Sequence, residues 1–186
     1  MTYPRRQQLR RLRHAGMRAI QSAIALAGAL TLGVAGEATL AFAVSLVSLG
    51  LGLDGAFAFR RAGRSAVGAK SEAQVRRELQ PLRREGWHVA HAVNWPGRGD
   101  LDHVVRCPSG IGFVIETKTL RYTTAHRLRT GDAARWLTRR HRRDTTRARP
   151  VICLVGARHV ERVEEGVLIV SADRLVPALL QAATER

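Results

Sequence analysis

The sequence predicts an α/β protein in which an N-terminal two-helix transmembrane hairpin precedes one mixed α/β domain. Three observations support this fold class. Residues 19–59 are almost free of charge, short apolar runs alternate with charged helical stretches from about residue 65 onward, and 186 residues suffice for one domain with a short appendage. The chain carries 31 Lys and Arg against 15 Asp and Glu, a formal net charge of +16. The apolar and the charged residues are thus segregated along the chain.

Two uncharged runs form the predicted hairpin. No Asp, Glu, Lys or Arg occurs from Ala19 to Gly36, and the run that follows Glu37 is interrupted only by Asp54 before Phe59. A helix needs about 20 apolar residues to cross about 30 Å of hydrocarbon, and each run approaches that length. Arginines precede the first run and follow the second, so the positive-inside rule places both ends in the cytoplasm. Asp54 would be costly within the bilayer unless it lies near the interface.

The predicted organisation has four parts. Residues 1–18 form a basic cytoplasmic N-terminus, 19–59 the hairpin, 60–67 a basic linker, and 68–186 the α/β domain. Two alternatives stay open, namely a secretory signal peptide and two buried helices of a soluble bundle. The hairpin is favoured because a second apolar run follows the first and neither has polar residues at helical spacing. It predicts a protein of the cell membrane whose C-terminal domain lies in the cytoplasm.

Turn residues and apolar spacing predict the elements of the α/β domain. The segment from Ser71 to Gln74 has the form of a capping box, so a helix is expected to begin at Ser71. Pro81 should kink or restart this helix, and Gly86 should end it. The charged segment 158–165 is expected to be a solvated loop. The other predicted elements are strands at 87–93, 100–106, 111–118, 150–155 and 166–170, and helices at about 124–143 and 173–183.

Two acidic residues on neighbouring strands are candidates for a metal site. Glu116 and Lys118 are two residues apart on a predicted strand, so their side chains lie on one face. If paired residue numbers sum to 218, Asp102 of the preceding strand stands directly across from Glu116. A five-residue loop between paired positions, Cys107 to Ile111, gives this register, whereas a four-residue loop would put the two carboxylates on opposite faces.

Facing carboxylates repel each other unless a cation or a proton lies between them, and hard oxygen ligands of this kind suit Mg²⁺. Lys118 would then lie beside the metal, where it could orient or deprotonate water or stabilise charge on a phosphorane. Glu72, at the start of the apolar stripe of the predicted helix, is aimed toward the core side. The alternative for Glu116 and Lys118 is an ordinary surface ion pair.

A helix Glu, an Asp on one strand and E-x-K on the next together resemble the PD-(D/E)xK nuclease superfamily. The segments Gly68–Glu72, Gly99–Val105 and Gly112–Lys118 are similar to the nuclease-related domain (NERD) family. The resemblance implies a restriction-endonuclease-like core with a central mixed sheet flanked by helices. It also implies a metal-dependent enzyme that hydrolyses DNA phosphodiester bonds.

Carried over residue by residue, the resemblance implies that Asp102 and Glu116 bind Mg²⁺ or Mn²⁺ with help from the backbone carbonyl of Thr117. Lys118 would be the catalytic lysine, and Glu72 would complete the site through water or a second ion. Asp102, Glu116, Lys118 and Glu72 are therefore the expected catalytic residues.

Other positions near these motifs are assigned less directly. Asp100 could replace Asp102 as a ligand, and His103 should point away from the carboxylates because side chains alternate along a strand. The sequence departs from the family at Ser71, where Gly is usual. A Gln often found in the following helix also has no clear counterpart near Gly131.

Arginines cluster after the E-x-K strand. Ten of them lie between Arg121 and Arg149, opposed only by Asp132 and Asp144. A cationic helix of this kind predicts salt-dependent, sequence-indifferent binding to phosphate backbones, and the alternative is attraction to anionic lipids. Nucleic acid is favoured because the cluster directly follows the candidate catalytic strand. The predicted nucleic-acid contacts are Arg121, Arg127, Arg129, Arg135, Arg139, Arg140, Arg142 and Arg143.

These observations predict a membrane-anchored, metal-dependent nuclease acting on DNA. The competing hypothesis is a non-catalytic module, tethered to the membrane, that uses a degenerate nuclease fold to bind nucleic acid or protein. An RNA-directed nuclease is a third possibility, because nothing in the sequence reports on a 2′-hydroxyl.

Overall fold

The chain divides into two compact units, Met1–Ala69 and Lys70–Arg186. The computed structural model describes residues 3–184, without the side chains of residues 3–8, 11, 64 and 65. The N-terminal unit is built from helix α1 (Tyr3–Val34) and the first part of helix α2 (Ala38–Glu78). A short turn joins the two helices, and Gly36 adopts a φ of 87° there. Glycine suits this position because a side chain would strain the backbone.

Polar side chains link α1 to α2 within the N-terminal unit. Ser22 Oγ donates to the Ser48 carbonyl at 2.8 Å, and Ser48 Oγ donates to the Ser22 carbonyl at 2.9 Å. Arg18 Nε lies 2.9 Å from Asp54 Oδ2, and His14 Nε2 lies 3.2 Å from the same oxygen. The pairing with Arg18 therefore accounts for the acidic residue in the second apolar run, since a paired charge is less costly than an isolated one.

Two helical stretches, Leu12–Val34 and Ala38–Arg84, each contain a segment that is long and apolar enough to cross a membrane. Only 6% and 11% of their most apolar windows are buried. Large side chains such as Ile24 and Phe42 are each 67% exposed. Helices at the core of a soluble bundle would bury such side chains, so the described residues do not fit the bundle alternative.

The predicted helix start at Ser71 is wrong, because α2 runs without a break through residues 60–67 and beyond. Ser71 is buried, and its Oγ lies 3.3 Å from Thr119 Oγ1 instead of capping a helix. The capping-box pattern was misleading because no proline precedes Ser71. Without such a break, the residues before Ser71 continue helix α2 through the pattern. The predicted break at Pro81 is confirmed, since α2 ends at Glu78 and a short helix α3 (Gln80–Arg84) follows.

The C-terminal unit contains one six-stranded sheet with the order β1-β2-β3-β4-β6-β5. Strands β1, β2 and β3 are antiparallel, β4 is parallel to both β3 and β6, and β5 is antiparallel to β6. The boundaries of five of the six strands lie within three residues of those predicted. The strands are β1 (His88–Trp95), β2 (Gly99–Arg106), β3 (Ile111–Lys118), β4 (Arg147–Leu154), β5 (Glu161–Glu164) and β6 (Val167–Ser171).

Helices cover both faces of the sheet. Helix α4 (Thr124–Arg140) packs Ala133 and Leu137 against Leu101 and Val114 on one face. The other face carries the larger core, to which α2, α3 and helix α5 (Leu175–Thr184) contribute; a 3₁₀ turn, Ala172–Arg174, precedes α5. The predicted fold class, a mixed sheet flanked by helices, is therefore confirmed.

One strand was not predicted. Part of the charged segment 158–165 forms β5, an edge strand, instead of a solvated loop. Its charges suit an edge position, because charged side chains protect exposed strand edges from further pairing. Glu161 and Glu164 are also neutralised by Arg174 and Arg127, at 3.3 Å and 2.7 Å.

Gly156, just after β4, lies tightly against the segment that follows β3. A Cβ atom there would come within 2.7 Å of Leu120 Cδ2 and 2.8 Å of the Thr119 carbonyl oxygen. We therefore expect Gly156→Ala to destabilise the fold by about 1–3 kcal/mol, seen as a lower thermal midpoint of the full chain. Gly131→Ala is the control, because its Cβ would meet nothing closer than 3.8 Å and the helix should gain about 0.5–1 kcal/mol. A higher midpoint for Gly156→Ala would contradict the crowding.

Candidate active site

The register between β2 and β3 brings the two candidate ligands together. Each of the four β2–β3 pairs, from His103↔Ile115 to Arg106↔Gly112, has residue numbers that sum to 218. The predicted register is therefore confirmed. Beyond His103 and Ile115 it places Asp102 across from Glu116, at the end of the ladder.

A side chain continues the contact between β2 and β3 where the backbone pairing stops. Asp102 Oδ2 accepts a hydrogen bond from the backbone N–H of Thr117 at 2.7 Å. The carboxylate thus takes a donor of β3 that would otherwise be available to the sheet ladder. This contact holds the Asp102 carboxylate at the end of β3, next to Glu116.

Glu116 is buried, and both of its carboxylate oxygens contact cations. Lys118 Nζ donates to Oε1 at 2.8 Å, and Arg129 Nη1 donates to Oε2 at 3.0 Å. Charge-assisted hydrogen bonds of this kind stabilise a carboxylate in surroundings where it would otherwise be poorly solvated. The Glu116–Lys118 contact is therefore part of a buried cluster and not a simple surface pair.

The carboxylates of the site influence one another's protonation. Burial, followed by the neighbouring Glu116 and Glu72 charges, raises the pKa of Asp102 to about 7, although the Thr117 N–H and Lys118 act in the opposite direction. Burial and then Glu116 raise the pKa of Glu72 as well. The structure therefore brings Glu72, Asp102, Glu116 and Lys118 into one electrostatically coupled group.

The donor chemistry of this group fits a divalent cation. Asp102 and Glu116 supply hard carboxylate oxygens, and the mutual repulsion of the acids is what a cation would relieve. Thr117, whose carbonyl is the third predicted ligand, has a buried Oγ1 without a hydrogen-bond partner. Within residues 3–184, however, no three His, Cys, Asp or Glu side chains are already spaced to hold a metal ion. Both oxygens of Glu116 already contact a cationic side chain, Lys118 or Arg129.

His103 lies apart from the carboxylates, as the strand alternation predicts. Its Nδ1 lies 2.8 Å from Nδ1 of His91 on β1, and the two rings meet edge to face. Burial, followed by His91 and Arg76, lowers the pKa of His103 to about 3. This pair, with His103 buried and His91 half-buried, links β1 to β2.

The arginine cluster divides into paired and unpaired members. Three of the predicted nucleic-acid contacts are engaged within the protein: Arg127 with Glu164 and Glu165, Arg129 with Glu116, and Arg135 with Asp132. The rest are exposed and make no ion pair with any residue in the described part of the chain. These are Arg121, Arg139, Arg140, Arg142 and Arg143.

A groove runs along α4, β4 and the turn between β5 and β6. It has a volume of about 540 Å³. Arg139 and Arg147 line it without an ion pair among the described residues, and Arg127 and Arg135 contribute two further guanidinium groups. Glu165 also lines the groove, which lies beside the helix that supplies Arg129 to the site.

Arg129 was predicted as a nucleic-acid contact, and its contact with Glu116 was not predicted. Besides Glu116, it contacts the carbonyl oxygens of Arg98 and Asp100 through Nη2, at 3.2 Å and 3.3 Å. The sequence signal was its position one turn into the helix that follows β3, with its side chain free to reach back to that strand. Trp136, three turns into α4, packs against Trp95 with the two ring centres 6.2 Å apart. This contact docks the helix on the sheet.

Comparison with known protein families agrees with this geometry. Neither the curated proteins nor the solved structures contain a match to the chain. Residues 67–167 match the family model described as nuclease-related domain. The matched region covers more than half of the chain and includes Glu72, Asp102, Glu116, Lys118 and α4. The chain belongs to the nuclease-related domain family, as the motifs at these positions predict.

Proposed function

We propose that this protein is a membrane-anchored, divalent-metal-dependent nuclease that hydrolyses DNA phosphodiester bonds. The single observation that carries the proposal is the convergence of Asp102, Glu116 and Lys118 at the end of β3, next to a basic helix. Paired carboxylates with a lysine are the groups that metal-assisted phosphodiester hydrolysis needs. Membership in the nuclease-related domain family supports the same chemistry.

Each side chain would have a distinct task. Asp102 and Glu116, with the Thr117 carbonyl, would hold Mg²⁺ or Mn²⁺, and Glu72 would complete the site through water. The metal would polarise the phosphodiester and lower the pKa of a bound water molecule. Lys118 Nζ, now 2.8 Å from Glu116 Oε1, would donate to a phosphoryl oxygen as charge develops on it. Water oxygen would then bond to phosphorus as the bond from phosphorus to the sugar oxygen breaks. The attacking water would give up one proton, and the sugar oxygen would take up one.

The basic surface would hold the substrate. Arg139, Arg140, Arg142 and Arg143 lie at the end of α4 and in the turn after it, exposed to solvent. Their guanidinium groups would contact successive phosphates without reading bases, so binding would be indifferent to sequence. The groove beside α4 would accommodate part of the same backbone.

A plasmid-nicking assay with the full-length chain in detergent tests the proposal. We expect nicking with Mg²⁺ or Mn²⁺, none in EDTA, and recovery when excess metal is restored. An equally active protein in EDTA would contradict metal dependence. Supercoiled DNA and a structured RNA of similar length, assayed side by side, would show whether DNA is the preferred substrate.

The hairpin is proposed to anchor the protein, with its C-terminal domain in the cytoplasm. The supporting observations are the exposed apolar surfaces of α1 and α2 and the arginines that flank the apolar runs. The protein should stay in the membrane pellet after alkaline carbonate washing. A C-terminal tag should be protease-resistant in intact cells and sensitive after lysis. Release of the protein by carbonate would contradict the anchor.

A non-catalytic, nucleic-acid-binding module is the second candidate. The observation in its favour is that both Glu116 oxygens already contact cations, so the acidic group is satisfied without a metal. This candidate predicts DNA binding that is unchanged by EDTA and by substitution of Lys118. Absence of cleavage under all metal conditions, with retained DNA binding, would support it over the nuclease.

A further inference from the structure

We propose that Arg129 is a displaceable counter-ion, which occupies Glu116 in the metal-free protein and leaves it when a divalent cation binds between Asp102 and Glu116. The inference rests on the proposed metal-dependent function and deepens it. It gives Arg129 a role at the metal site that the other members of the arginine cluster do not have.

The contacts of Arg129 are those of a competitor for a ligand oxygen. Its Nη1 donates to Glu116 Oε2 at 3.0 Å, while Lys118 holds the other oxygen, Oε1. Mg²⁺ binds carboxylate oxygens at about 2.0–2.1 Å and demands near-octahedral geometry. A dication at Oε2 and a guanidinium at 3.0 Å from the same oxygen would repel each other strongly. Departure of the guanidinium from Glu116 would relieve this repulsion.

Arg129 is better placed to move than Lys118. The Arg129 side chain is 36% exposed, whereas that of Lys118 is 24% exposed and lies on the same strand as Glu116. Leaving Glu116 would cost Arg129 only one of its hydrogen bonds, because Nη2 also donates to the carbonyls of Arg98 and Asp100.

The released guanidinium would stay beside the site. The two carbonyl acceptors lie at the start of β2, and the Arg129 Cζ lies 5.8 Å from the centre of the Trp95 ring, within range of a cation–π contact. With Nη1 free, Arg129 could donate to a phosphate that approaches the metal. Arg129 would thus neutralise Glu116 in the metal-free protein and face the substrate in the metal-bound protein.

Manganese titration of the full-length chain in detergent tests this exchange without any substrate. We expect Arg129→Gln to bind Mn²⁺ about tenfold more tightly than the wild type, the change given by about 1.4 kcal/mol for a lost charge-assisted competitor. Arg135→Gln is the matched control. It also removes one positive charge from α4, but Arg135 pairs with Asp132 and not with Glu116. Its Mn²⁺ affinity should stay within about twofold of the wild type.

A second measurement follows Arg129 itself. The NMR signal of the Arg129 side-chain Nε–H should shift when Mg²⁺ is added. This signal is identified by its absence from the NMR spectrum of Arg129→Gln. Arg129→Lys, which keeps a cation but not the paired donors, should have intermediate Mn²⁺ affinity and serves if the glutamine variant folds poorly.

The outcomes separate this inference from the proposed function. Equal Mn²⁺ affinity in the wild type and Arg129→Gln, or an unmoved Arg129 signal, overturns the exchange while leaving a metal-dependent nuclease intact. Weaker Mn²⁺ binding by Arg129→Gln would make Arg129 a support of the metal site and would also overturn it. No Mn²⁺ binding by any variant would overturn both.

Discussion

Asp102→Asn is expected to lower metal-dependent DNA cleavage by about a thousandfold or more, while DNA binding changes little. The substitution removes one of two carboxylates that would hold the metal, and metal-assisted hydrolysis relies on the charge stabilisation that the ion supplies. Asparagine keeps the size of the side chain and an oxygen that can accept from the Thr117 N–H. The measurement is the initial rate of plasmid nicking with Mg²⁺, together with the Kd for a DNA duplex in EDTA.

The control for this variant is its thermal stability, because unfolding would also abolish DNA cleavage. The pKa of Asp102 is raised to about 7 in the fold, so its ionised form destabilises the metal-free protein. This penalty is absent below the unfolded pKa of about 4, grows as pH rises, and is complete above about pH 7. In EDTA, Asp102→Asn should therefore unfold at a higher temperature than the wild type at pH 8 and at nearly the same temperature near pH 4.

Lys118→Met gives the complementary comparison. Loss of one charge-stabilising donor costs about a hundred- to a thousandfold in rate at comparable sites. Mn²⁺ binding should survive in this variant, because Asp102 and Glu116 are intact. If Asp102→Asn and Lys118→Met both cleave DNA at the wild-type rate, the candidate site is not catalytic, and the binding-module hypothesis gains support.

DNA binding is expected to weaken by about several hundredfold between 50 and 200 mM salt. Five exposed arginines at the end of α4 and beside it can each neutralise one phosphate, and each contact contributes about −0.9 to the slope of log K against log salt concentration. Replacing the set with glutamine should therefore flatten the slope by roughly one unit per arginine that contacts DNA. The set is Arg121, Arg139, Arg140, Arg142 and Arg143.

The control for this prediction is Arg162→Gln. Arg162 lies on β5 and contacts Glu164 and Tyr122, outside the exposed arginine set. Its loss should leave the slope nearly unchanged. An unchanged slope in the multiple variant, with reduced binding to vesicles of anionic lipid, would instead assign these arginines to the membrane surface.

The β2–β3 hairpin shows how much of the candidate site the local sequence pattern predicts. A loop of five residues and the period of two along a strand were enough to predict that Asp102 and Glu116 share a face, because hairpin register depends on neighbouring residues. The same pattern correctly turned His103 away from the site. This prediction succeeded because Asp102 and Glu116 lie only 14 positions apart in the sequence.

Prediction from the local sequence failed at two places, where distant contacts or the continuation of a preceding helix determined the structure. Ser71 has the sequence of a helix cap, yet it is buried next to Thr119 within a helix that began at Ala38. The charged segment around Glu161 forms a strand because the edge of β6 offers it backbone partners. In both places the local preference was weak, and the rest of the fold outweighed it.

The sequence by itself determined the order of five of the six strands, the shared face of the carboxylates and the basic character of α4, since each depends on spacing along the chain. Only the tertiary structure decided which arginine enters the acidic site. Eight arginines looked alike as phosphate contacts, but only the crossing of α4 over β3 brings Arg129 within 3.0 Å of Glu116 and leaves those beyond it facing solvent. That distinction depends on how a helix packs on a sheet, which residue spacing does not specify.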